Sequence, residues 1–88
     1  MKEEELEEIA KRSNAARKGP WISFIEGRDF TSGSSFIRIG SQDNRGSDIE
    51  LIGATAADQD FIAAARQDIP KLLEEIRRLK ELVKALKA

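Results

Sequence analysis

The sequence predicts an α+β fold: an N-terminal helix, a three-stranded antiparallel sheet and two near-continuous C-terminal helices. Three observations carry this. Residues 4–18 place Leu6, Ile9 and Ala10 on one helical face. Residues 21–26, 35–40 and 48–52 are short runs rich in aromatic and β-branched side chains, separated by Gly, Ser, Asp and Asn. From Ile69 the apolar residues Ile69, Leu72, Ile76, Leu79, Val83 and Leu86 recur at alternating spacings of three and four. At 88 residues the chain makes one domain, with a limited core of its own.

The first helix carries acidic residues at its start and basic ones at its end, as the helix dipole prefers. Glu7/Lys11 and Glu8/Arg12 are favourable pairs four apart. Gly19-Pro20 ends it. In the first strand Trp21, Ser23 and Ile25 share one face, and Ile22, Phe24 and Glu26 the other. Residues 27–34 form a hairpin loop. In the second strand Phe36 and Arg38 oppose Ile37 and Ile39, and in the third Ile49 and Leu51 oppose Glu50. Trp21 reads as an anchor over one end of the sheet.

Thr55 and Asp58 form a capping-box variant that opens a helix over residues 56–67. Asp68 is suited to a second N-cap, and Pro70 then falls in the first turn of the helix that follows. That helix ends in the heptad seam. A seam wants a partner helix, so the expected partner is a second copy, joined through Ile69, Leu72, Ile76, Leu79 and Val83. The competing reading is an amphipathic helix lying on the sheet, and Leu73 and Leu82 widen the stripe in that direction.

Composition narrows the function. Fifteen basic and 16 acidic residues give a net charge of −1, which disfavours a nucleic-acid polymer as partner. The absence of Cys and His removes disulfides, thiolate zinc sites and the commonest general base. No cofactor is expected. An acidic start and no long apolar run point to a cytoplasmic protein without a membrane segment.

Two features can carry binding. Arg28, Arg38, Arg45 and Arg66 lie near Phe30 and Phe36 in the sequence. Arginine forks grip phosphate and aromatic faces stack on bases, so together they can form a nucleotide pocket. Alternatively, the phenylalanines are core and the arginines pair with Glu26, Asp29, Asp48 and Glu50. Residues 31–35 offer hydroxyls to a phosphate, or are simply a hairpin tip. Asp58, Asp60 and Asp68 are poor candidates for metal ligands, and Asp58 and Asp68 read as caps instead.

Gly19-Pro20-Trp21, then Gly53-Ala54-Thr55-Ala56-Ala57-Asp58 with Phe61-Ile62-Ala63, then Ala65-Arg66-Gln67-Asp68-Ile69-Pro70-Lys71-Leu72-Leu73-Glu74-Glu75-Ile76, resemble a family of short bacteriophage proteins. The resemblance runs over residues 15–79, and Ala-Arg-x-Asp-Ile-Pro is its most specific part. The chain is also similar to the Thoeris anti-defence sponges. That similarity implies an oligomeric, non-catalytic protein that sequesters a small cyclic nucleotide signal of the cyclic ADP-ribose type. The alternative expectation is a structural or protein-interaction module that associates through its C-terminal helix.

Overall fold

A computed structural model describes residues 1–88. The element order is α1 (Glu3–Ala15), β1 (Trp21–Phe24), β2 (Phe36–Ile39) and α2 (Ala56–Lys87). The class is α+β: an N-terminal helix, a two-stranded antiparallel sheet and one C-terminal helix. β1 and β2 pair with Trp21 opposite Ile39, Ile22 opposite Arg38, Ser23 opposite Ile37 and Phe24 opposite Phe36.

The sheet follows the predicted alternation. Ile37 and Ile39 are buried on one face and pack with Ala63 of α2, flanked by Trp21, Ile49 and Leu51. Phe36 and Arg38 stay half-buried on the other face. Trp21 takes its expected place, its indole Nε1 donating to the Arg17 carbonyl at 3.2 Å.

The expected third strand shrinks to a single bridge, in which Ile37 and Ile49 exchange backbone hydrogen bonds of 2.8 and 2.9 Å. The edge of β2 offers no more room. On one side of Ile37 the chain folds back, and the Gly46 N–H donates to the Ile39 carbonyl at 2.7 Å. Gly40 makes that fold possible. Its φ is +86°, and an added Cβ would come within 2.3 Å of the Asn44 carbonyl oxygen. On the other side the Ser35 hydroxyl accepts from the Glu26 N–H at 3.0 Å, tying residues 26–35 into a separate loop.

The two expected C-terminal helices are one. α2 runs unbroken for 32 residues, about 48 Å, with Pro70 inside it. Its start is the predicted capping box: the Thr55 hydroxyl accepts from the Asp58 N–H, and the Asp58 carboxylate from the Thr55 N–H, each at 3.0 Å. Asp68 therefore caps nothing. Proline removes one backbone donor. Packing on both sides of that point keeps the helix continuous through it. Ala63 sits against the sheet, and Leu73 is buried beside Leu6 of α1.

Two glutamines join α2 to the sheet. Gln67 accepts from the Trp21 N–H at 2.9 Å and donates to the Trp21 carbonyl at 3.1 Å, as a neighbouring strand would. Gln59 is buried, and its Nε2 donates among Ser23 Oγ, the Phe24 carbonyl and the Phe36 carbonyl at 2.9 to 3.2 Å. α1 lies antiparallel along α2, with Glu3 bonded to Lys80 at one end and Ser13 to Arg66 at the other. No helix is long and apolar enough to cross a membrane.

Candidate functional site

The outer face of the sheet, away from α2, carries Ile22 and Phe24 from β1 and Phe36 and Arg38 from β2. The register makes neighbours of them, because these pairs stand directly opposite across the two strands. The Phe24 and Phe36 rings stack with centroids 5.2 Å apart. Phe30 comes in from the hairpin loop and tilts against Phe36 at 5.7 Å. Its loop is fixed by Gly27, whose N–H donates to the Phe30 carbonyl at 2.8 Å.

Two guanidinium groups lie over this cluster. Arg38 sits 5.1 Å from the Phe24 centroid and Arg45 5.6 Å from the Phe36 centroid. Both are within cation–π range. Arg45 is also tied to Asp48 at 2.7 Å. Arg38 is in no ion pair, and its buried Nε has no hydrogen-bond partner. A guanidinium carries five N–H donors in a planar fork, so Arg38 can still take a phosphate or carboxylate bidentately.

Of the six residues singled out from the sequence, the fold brings Phe30, Phe36, Arg38 and Arg45 together. It sends the other two elsewhere. Arg28 forks onto Asp60 at 2.7 and 3.0 Å and also binds Asp29 at 2.9 Å. These bonds raise its pKa further and hold Asp60 down to about 2, with the Ser23 hydroxyl adding to the effect on Asp60. Asp29 is likewise lowered, first by Arg28 and then by the Ile25 N–H. Arg28 thus ties the hairpin loop to α2.

Arg66 serves the end of α1. It donates to the Ser13 carbonyl at 2.7 Å, to Ser13 Oγ at 2.8 Å and to the Arg17 carbonyl at 3.3 Å. The last carbonyls of a helix have no partner within it, and a cation there also meets the negative end of the dipole. Phe24 was not singled out from the sequence. The signal was its place in the strand alternation, on the same face as Glu26 and opposite the buried set.

A concavity of about 450 Å³ runs between α1 and α2, away from the sheet face. Its walls are mainly Ile9, Ala16, Trp21, Ile62, Ala65 and Ile69. With Arg66 turned to α1, this groove is apolar in character. No cluster of three or more His, Cys, Asp or Glu side chains is arranged to hold a metal ion. Comparison with protein-family models, curated proteins and solved structures finds no match.

Proposed function

We propose that this chain is a non-catalytic binding module that captures a small nucleotide on the outer face of its sheet. The observation that carries the reading is Arg38. It is an arginine without a carboxylate partner, set over an aromatic cluster on the one sheet face that no helix covers. A nucleotide pairs a flat ring with phosphate, and this surface pairs aromatic faces with a guanidinium fork. Arg45 stands beside it as a second cation.

The resemblance to bacteriophage anti-defence sponges supports a cyclic ADP-ribose type of ligand, held by a homo-oligomer in the host cytoplasm. Sequestration needs tight binding and no turnover. A chain without His or Cys is suited to that, since acid–base or nucleophilic work would fall to carboxylates, lysines and hydroxyls. A second reading, a protein-interaction module, is favoured by the exposed apolar residues of α2, among them Phe61, Leu72 and Leu86.

The test is incubation of the purified chain with cyclic ADP-ribose isomers, removal of free ligand, heat release and mass spectrometry. The intact nucleotide should be recovered from the wild type. Truncating a charge-assisted contact costs about 2–5 kcal/mol, so Arg38→Ala should retain at least roughly tenfold less. Recovery of a cleaved product, or of no nucleotide at all, would refute the sponge reading.

A further inference from the structure

We propose that a second copy of this chain docks along the outer face of α2, antiparallel to the first, about a twofold axis near residue 74. α2 has two apolar faces, and the fold covers only one. Leu73, Ile69 and Ile76, with one edge of Leu72, turn toward Leu6 and Ile9 of α1. The neighbouring stripe holds Phe61, Leu72, Leu79, Val83 and Leu86, each at least 45% exposed. At 100° per residue these five fall within a sector of about 60°, and they extend for about 37 Å.

The area agrees with one missing partner. The accessible surface is 6781 Å², about 1,600 Å² more than a compact monomer of 9.8 kDa exposes. A standard interface takes about 800 Å² from each partner, so the excess is ample for one. A stripe that matches itself calls for a closed twofold pair.

The charges select the antiparallel arrangement. Asp68, Lys71, Glu75 and Arg78 are spaced three, four and three along one flank of the stripe, all exposed. Their signs run minus, plus, minus, plus. Reversing a copy about residue 73 sets Asp68 opposite the second copy's Arg78 and Lys71 opposite its Glu75. A parallel pair in register would set like against like. Net charge over the whole helix agrees: residues 58–68 are acidic on balance and residues 80–87 basic. Within one helix Arg78 is bonded to Glu75, and docking exchanges that bond for pairs with Asp68 and Lys71 of the second copy.

A twofold axis at residue 74, one residue from the centre of the charge pairs, gives the apolar groove an occupant. Leu72 meets the second copy's Ile76, and Val83 its Ala65. Leu86 falls opposite Ile62, on the groove of about 450 Å³ between α1 and α2. The last turns of α2, which project past α1 in one copy, would cover the groove in the other.

The experiment uses the full chain. Light scattering should return twice the 9.8 kDa chain mass. Leu79→Asp, at an exposed position, should return the single-chain mass with its helical circular dichroism kept. Lys71→Glu should weaken the dimer several-fold, and adding Glu75→Lys should restore it. The chain has no cysteine, so a spin label at Lys87→Cys reports one distance. An antiparallel pair puts the two labels about 39 Å apart along the axis, whereas a parallel pair puts them within about 20 Å. A wild-type monomer, a mass of one chain plus a different protein, or a short label distance would each overturn the proposal.

Discussion

Arg66 stands 53 positions from Ser13 in the chain, yet its guanidinium closes the end of α1. No local spacing rule pairs residues so far apart, which is why it read with the other arginines as a candidate phosphate grip. Its three acceptors make it a structural clamp. Hydrogen bonds to a charged group contribute about 1.5–3 kcal/mol, and removing the group also strips the Ser13 carbonyl in the last turn of α1 of its side-chain donor. Arg66→Ala should therefore lower the melting temperature by roughly 8–16 °C, the range a loss of about 2 kcal/mol gives in a chain of this size. Nucleotide capture at the sheet should persist at temperatures where the variant is folded. A melting temperature within a degree of wild type would show that solvent serves the α1 end equally well. Gln59 and Gln67 were equally hard to read. Polar residues on a helix are usually solvated, and only their spacing of four on either side of Ala63 marks them as belonging to the sheet-facing side.

At the scale of elements, local chemistry and tertiary packing agreed in some places and competed in others. The Thr55–Asp58 cap was legible because both partners lie within one turn. The buried Ile37 and Ile39 were legible because strand alternation has a fixed period. The third strand was not, since its pairing is limited by where the chain folds back at Gly40 and Gly46 and not by its own residues. Pro70 set a local rule against packing, and packing prevailed. The cost remains: the Arg66 carbonyl faces a residue with no N–H four positions on. Pro70 is exposed, so an alanine there would fit without a clash. Pro70→Ala should stabilise the fold by about 1–3 kcal/mol, read as a higher midpoint in urea with an unchanged slope. A lower midpoint would mean that the proline bends α2 into its fit with the sheet.

For the whole molecule, the radius of gyration of 16.7 Å exceeds the roughly 12 Å of a compact chain of this length. The excess comes from α2, which is longer than the sheet and α1 can cover. The heptad seam was legible as a pattern, but the fold divides its members, giving Ile69 and much of Ile76 to α1 and leaving Leu72, Leu79, Val83 and Leu86 outside. What remains is a small body with two unpartnered surfaces, an apolar helix face and an arginine–phenylalanine sheet face. The second carries the functional account. Its most direct test is a backbone-amide NMR titration with a cyclic ADP-ribose type nucleotide. The account predicts shifts concentrated at Ile22, Phe24, Phe36 and Arg38, lost in Arg38→Ala. Shifts centred on Arg66 and the α1–α2 groove, or a spectrum unchanged at saturating nucleotide, would contradict it.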